Sequence, residues 1–331
     1  MRAAVIGTGS WGTALAQVLA DNGNDVMLYG RNPSELEDIN LHHKNTKYFG
    51  DTPINAALRA TADPRELLGY RDLVLLCVPS AAFPSILPVV APLLCEHTIL
   101  VNAAKGFEPR SGRRLSVALR EAFSEHTFAG VVSLIGPSHA EEVILRMLTS
   151  VCAVCTDTAL CERVQAIFSN EYLRVYGTDD EIGAEYGVAI KNVIALASGM
   201  LVGRGYGDNA KAALITRGLV ETVRYGVAKG GRRDTFFGLS GVGDLIVTCF
   251  SPHSRNYRAG LAIGKADSVD ALSGLELTLE GVESCRVVVA DAKRMGIDMP
   301  IVCSVYAVLF ERVAPSQAIA RLMARPLRFE T

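Results

Sequence analysis

Three glycines punctuate the start of the chain in Gly7-Thr-Gly9-Ser-Trp-Gly12. Such a run carries chemistry only between a strand and a helix, and here it follows the apolar stretch Ala3–Ile6 and leads into the helical stretch Trp11–Asn22. Gly7 then permits the tight turn, Gly9 lets a pyrophosphate approach the backbone, and Gly12 lets helix and strand pack closely, with the helix N-terminus facing the phosphates. These are the marks of a dinucleotide site. Where the second strand, Asp25–Tyr29, ends, the chain reads Gly30-Arg31-Asn32-Pro33, with no carboxylate to accept from a ribose 2′-hydroxyl. A guanidinium at Arg31 can pair with a 2′-phosphate, so the cofactor is NADP or NAD, with NADPH acceptance favoured. A solvated turn arginine would read the same way.

A second group of reactive side chains lies in the other half. Lys191 sits in Val188-Ala-Ile-Lys-Asn-Val-Ile-Ala-Leu-Ala-Ser198, a run apolar on most faces and therefore a buried helix. Unpaired burial of an ammonium is costly and depresses its pKa, which also makes a lysine competent for proton transfer, although a lysine snorkelling from a helix end is the alternative. On that reading Lys191→Met leaves stability unchanged or improved. Asp244, in Gly241-Val-Gly-Asp244, could orient Lys191, accept a substrate hydroxyl or cap a helix. Ser254-Arg-Asn-Tyr-Arg258 leads into a helical segment, so its amides, hydroxyl and guanidinium could converge on one anion; a serine N-cap beside solvated arginines fits equally. Lys105 follows the strand Thr98–Asn102 and precedes Gly106, at the strand end where open α/β sheets bind ligands, or on an ordinary surface loop.

The elements that must hold these groups follow from the patterning. Strand-like runs at Ala3–Ile6, Asp25–Tyr29, Leu73–Val78, Thr98–Asn102 and Val131–Ile135 alternate with helical stretches such as Leu115–Phe123. That alternation predicts an α/β fold with a Rossmann-like, mainly parallel N-terminal sheet. After the polar turn Gly177-Thr-Asp-Asp180 only long, glycine-punctuated helical segments remain. We therefore place a dinucleotide-binding domain at 1–178 and an all-α substrate domain at 179–331.

Composition narrows the partners. With 331 residues, 49% hydrophobic and 21% charged, the chain can bury two cores. Its net charge of −2 provides no basic stripe for nucleic acid. The eight cysteines are scattered in apolar runs, which suits a reducing cytoplasm. The lone Cys152-Ala-Val-Cys155 reads as a strand with thiols on opposite faces, and no second Cys or His pair suggests a metal. The six histidines show no ligand spacing. The N-terminus opens on a strand instead of a signal peptide, and Lys191 and Asn192 interrupt the most apolar helical run, so no membrane span is expected.

Gly7-Thr-Gly-Ser-Trp-Gly-Thr-Ala14, Gly30-Arg-Asn-Pro33, Val78-Pro-Ser80, Lys105-Gly-Phe-Glu108, Gly136-Pro-Ser138, Ala189-Ile-Lys-Asn-Val193, Gly207-Asp-Asn-Ala-Lys211, Gly238-Leu-Ser-Gly-Val-Gly-Asp244, Ser254-Arg-Asn256 and Glu280-Gly281 stand in one order along the chain. In that order and spacing the chain resembles the NAD(P)-dependent glycerol-3-phosphate dehydrogenases over nearly its whole length. The resemblance implies interconversion of sn-glycerol 3-phosphate and dihydroxyacetone phosphate, in support of phospholipid synthesis, by a cytoplasmic homodimer. It implies that Ser10, Trp11, Arg31, Lys105, Ala140, Arg255, Thr278 and Glu280 touch the cofactor. Lys105, Gly136, Ser138, Lys191, Asn192, Asp244, Ser254, Arg255 and Asn256 would surround the substrate, with Lys191, Lys105 and Asp244 catalytic. Two places depart from the pattern: Tyr48-Phe-Gly-Asp51 lacks the usual leucine-proline, and Pro84 stands where an arginine often occurs. A 6-phosphogluconate-type dehydrogenase and a non-catalytic NADP redox sensor are the rival readings, but a sensor would have no reason to bury Lys191.

Overall fold

The computed structural model describes residues 1–273, 279–327 and 329–330. These fall into two compact units, Met1–Glu181 and Ile182–Thr331. In the first, eight strands form one sheet: β1 (Arg2–Ile6), β2 (Asp25–Tyr29), β3 (Arg59–Thr61), β4 (Leu73–Leu76), β5 (Ile99–Asn102), β6 (Gly130–Ile135), β7 (Thr149–Val154) and β8 (Leu173–Thr178). Their spatial order is β3-β2-β1-β4-β5-β6-β7-β8, and every neighbouring pair is parallel except β6 and β7. The order in which successive strands are laid down reverses between the parallel β1 and β4, which opens the crevice at their carboxyl ends where such sheets take ligands.

The central strands are near-continuous apolar runs because both faces are covered. Ala3 and Val5 of β1 pack into one core with Val26, Leu28, Leu73 and Leu75, while Ala4 and Ile6 join Met27, Tyr29, Val74 and Leu76 on the other side. The helices of seven or more residues in this unit are α1 (Ser10–Asp21), α2 (Phe83–Val90), α3 (Leu115–Ala122) and α4 (Thr158–Phe168). β3 and β8 went unanticipated. Three residues of β3 show no alternation, and β8 takes in Gly177 and Thr178, which read as a turn.

Among the described residues no strand follows β8. The long helices there are α5 (Glu181–Gly203), α6 (Asp208–Ala228), α7 (Asp244–Phe250), α8 (Arg255–Ala266), α9 (Glu280–Met295), α10 (Pro300–Phe310) and α11 (Pro315–Met323). α5 is long and apolar enough to cross a membrane by composition, yet 78% of its apolar window is buried inside the protein, as befits a core helix. α5 and α8 approach with their backbones nearly touching. A Cβ on Gly199 would lie 2.1 Å from the Tyr257 carbonyl oxygen, and one on Gly260 would lie 2.1 Å from that of Leu196. Small residues four apart on both helices therefore bring the Lys191 helix against the helix that begins after Ser254.

Candidate active site

In the first unit the glycine loop has the geometry its spacing implies. Gly7 takes φ +119°, and a side chain there would strike the Cys77 carbonyl oxygen at 2.8 Å; one on Gly12 would strike the Gly7 oxygen at 2.0 Å. Gly9 differs, since no atom lies within 4 Å of where its Cβ would stand. It is also the N-cap of α1 and offers no side chain to the first amides, so the helix N-terminus is open to an incoming anion. This loop could hold a pyrophosphate. Ser10 and Trp11 begin α1, and the Trp11 indole nitrogen is buried without a hydrogen-bond partner among the described residues.

Arg31 lies exposed just beyond β2. The nearby carboxylate is Glu35, which the sequence reading overlooked. It accepts from Thr8 Oγ1 at 2.6 Å, Lys47 Nζ at 2.7 Å and Asn32 Nδ2 at 3.1 Å, and so braces the glycine loop. Its signal was its place in the first turn of a short helix, Pro33–Glu37. Further along the same unit, Asn102 Oδ1 accepts from the Ala104 amide at 3.2 Å and folds the chain into the turn that presents Lys105. Lys105 Nζ and Ser138 Oγ both donate to the Gly136 carbonyl, at 3.4 and 3.1 Å, so these three expected residues form one cluster. A side chain at Gly136 would sit 2.8 Å from the Val151 Cα of β7. Ala140 is buried at the start of the short helix Ala140–Val143.

In the second unit, Lys191 is 4% exposed and Asp244 1%, and the two form an ion pair. Lys191 Nζ also donates to Thr248 Oγ1 at 2.9 Å. The Thr248 hydroxyl donates in turn to the Asp244 carbonyl oxygen at 2.6 Å, one turn back on α7. The burial of Lys191 is thus a paired burial, contrary to the unpaired one considered from sequence, and the pair removes the basis for expecting Lys191→Met to be harmless to stability. Asp244 begins α7 behind the N-cap Gly243, so its side chain serves Lys191 and not the cap. Burial pushes the neighbouring Cys249 thiol up to about 12, partly opposed by Lys191 and Lys211.

Ser254 is the N-cap of α8, and its hydroxyl accepts from the Tyr257 amide at 3.2 Å. A hydroxyl that accepts there keeps its proton for an anion. Arg255 Nη2 donates to Glu280 Oε1 at 2.6 Å, and Asn256 Oδ1 accepts from the Gly281 amide at 3.1 Å. A side chain at Gly281 would meet the Asn192 carbonyl oxygen at 2.7 Å and Asn256 Oδ1 at 2.8 Å. Asn192, Ser254, Arg255, Asn256 and Glu280 therefore share one neighbourhood. Thr278 lies outside the described residues. All eight cysteines are free thiols. No group of three or more His, Cys, Asp or Glu side chains among the described residues is arranged to hold a metal.

Residues 2–161 match the family model described as NAD-dependent glycerol-3-phosphate dehydrogenase N-terminus, and residues 180–320 match the corresponding C-terminus model. The chain belongs to the NAD-dependent glycerol-3-phosphate dehydrogenase family. A glycerol-3-phosphate dehydrogenase (NAD(P)+) of Exiguobacterium sp. is 46% identical over 328 residues, which cover 99% of this chain and 96% of that protein. One from Listeria monocytogenes is 44% identical over 330 residues, covering 99% and 98%. The crystal structure of glycerol-3-phosphate dehydrogenase from Coxiella burnetii superposes with a TM-score of 0.88 at 33% identity, covering 98% of each chain.

Within this glycerol-3-phosphate dehydrogenase family member, the two sequence departures fall at tolerant places. Pro84 is the second residue of α2, where no intrahelical N–H is needed. Phe49 ends the short helix Thr46–Phe49, and Gly50 follows with φ +58°. Thr248 is the member of the lysine cluster that sequence reading missed. Its spacing of four from Asp244 on one helix was the available signal.

Proposed function

We propose that the protein catalyses the NAD(P)-dependent interconversion of sn-glycerol 3-phosphate and dihydroxyacetone phosphate. The observation that carries this reading is the buried Lys191–Asp244–Thr248 cluster, inside the unit that matches the family's C-terminal half. A buried ammonium held by a carboxylate and a hydroxyl is a proton store that solvent does not reach freely. When bound, the nicotinamide cofactor supplies the hydride chemistry. Gly7, Gly9, Ser10, Trp11 and Gly12 would hold its pyrophosphate end, and Arg31 would pair with a 2′-phosphate were NADP bound.

In the reducing direction, Lys191 Nζ gives its proton to the substrate C2 oxygen, and in the oxidising direction it takes that proton back. Asp244 holds the ammonium in place through their ion pair, while Thr248 fixes the direction of one N–H. Lys105, steadied on the Gly136 carbonyl beside Ser138, is the lysine of the first unit that the family resemblance assigns to the substrate. Ser254, Arg255, Asn256 and the first amides of α8 hold the phosphate, so that binding energy remote from C2 orients the reacting carbon. Asn192 and Glu280 complete this wall, and Ala140 lines the cofactor side. The enzyme works in the cytoplasm as a homodimer, takes no nucleic acid, and supplies glycerol 3-phosphate for phospholipid synthesis.

NADPH oxidation tests this with dihydroxyacetone phosphate, unphosphorylated dihydroxyacetone and a panel of 2-keto acids. The reading requires dihydroxyacetone phosphate to be turned over with the highest kcat/KM, and faster reduction of a keto acid would replace it. Sedimentation at micromolar concentration checks the dimer, which a stable monomer would rule out.

A further inference from the structure

Lys211 belongs to the Gly207-Asp-Asn-Ala-Lys211 stretch, to which the reaction above gives no task. It occupies the fourth position of α6, in the first turn, where the helix dipole disfavours a cation, and it is 7% exposed. Among the described residues it makes no ion pair and no side-chain hydrogen bond, and burial lowers its pKa. What offsets these costs is aromatic. The Lys211 ammonium lies 4.1 Å from the centroid of the Phe250 ring and 5.0 Å from that of Tyr257. Lys47 and Lys229 also lie over rings, but each of those has a carboxylate at 2.7 Å.

The two rings stand at informative places. Phe250 is the last residue of α7, the helix of Asp244 and Thr248, and Tyr257 is the third residue of α8. Between them run Ser251 to Asn256, which include the anion-binding turn. We propose that Lys211 is a positioning residue: by holding the Phe250 and Tyr257 rings on one ammonium, it ties the end of α7 to the first turn of α8 and fixes the phosphate-binding segment between them. This inference rests on the reading of Ser254–Asn256 as the phosphate pocket.

The test uses the full-length enzyme as Lys211→Met, Lys211→Arg and Phe250→Leu, with Arg255→Ala as a reporter of the pocket itself. Lys211→Met keeps the volume and removes the charge. It should raise KM for dihydroxyacetone phosphate about tenfold, leave kcat within about twofold and KM for NADPH unchanged, and speed amide exchange at residues 251–257 about tenfold. Lys211→Arg, which can also sit on the rings, should stay within about threefold of the parent, and Phe250→Leu should fall between. Unchanged exchange at 251–257 in both Lys211→Met and Phe250→Leu would overturn the proposal, as would a Lys211→Met that lowers kcat at constant KM. If Lys211→Met does not fold, Phe250→Leu alone decides by the same exchange measurement, because its half-exposed ring is not needed for the core. Faster exchange in these variants, together with an Arg255→Ala of unchanged KM for dihydroxyacetone phosphate, would instead refute the phosphate reading of the pocket.

Discussion

Replacing Lys191 by methionine takes its ion-pair partner from the Asp244 carboxylate, which is 1% exposed. The Thr248 hydroxyl lies 3.4 Å from Asp244 Oδ1 but is already committed to the Asp244 carbonyl at 2.6 Å. Removing one partner of a buried ion pair costs about 3–5 kcal/mol, most of it the desolvation of the stranded charge. Asp244→Asn strands the ammonium instead and should cost a similar amount. The double variant buries no net charge and should lie within about 1 kcal/mol of the parent, giving a coupling energy on the order of 3 kcal/mol or more. Urea unfolding of the four proteins measures the cycle. If each single change costs under about 1 kcal/mol, or the two losses simply add, the side chains are not the coupled buried pair described above.

Three further outcomes follow from other residues. Arg31→Ala should weaken NADPH binding by about 1.5–3 kcal/mol and NADH binding far less, since only NADPH offers the 2′-phosphate; an unchanged preference between the two places Arg31 in solvent. Gly260→Ala puts a methyl 2.1 Å from the Leu196 carbonyl oxygen, where neither backbone can yield cheaply, and should cost at least about 2 kcal/mol; a variant as stable as the parent would mean that α5 and α8 separate easily. Glu221 is buried at the N-terminus of α10, accepting from the Ile301 and Val302 amides at 2.7 and 3.1 Å, and burial outweighs those amides to push its carboxyl up to about 7. Because the folded pKa is above the unfolded one, the stabilisation is full below pH 4.5 and disappears as pH rises through about 7, a span worth roughly 3 kcal/mol. The stability difference between parent and Glu221→Gln should therefore shift against the parent over that range, and a difference independent of pH would show that the carboxyl stays ionised throughout.

Much of the first unit was legible because its signals are local. The strand, glycine turn and helix from Arg2 to Asp21 are written in consecutive residues, and the apolar runs of β4, β5 and β6 follow from burial on both faces. Lys191 was legible for the same reason, as a charge in an apolar helix. What could not be read is what depends on distant partners. Thr248 reaches Lys191 across 57 positions, Glu280 reaches Arg255 across 25, and the rings that hold Lys211 stand on two other helices. The N-cap role of Ser254 and an anion-binding role had looked like alternatives; the structure shows the cap, and its hydroxyl retains a proton that an anion could take.

The central claim is that Lys191 carries the proton of the reaction. It is tested most directly by comparing kcat for dihydroxyacetone phosphate reduction in the parent and in Lys191→Met, with NADPH saturating and the variant held below its unfolding transition. NADPH affinity, measured in parallel, reports on the other unit and should be unchanged. The account predicts a fall in kcat of about 10²–10⁴-fold, the range that a general acid supplies. Near-parental turnover across pH 6–9 would contradict it, leaving Lys191 a structural partner of Asp244 and moving the search for the proton donor to Lys105 or a bound water.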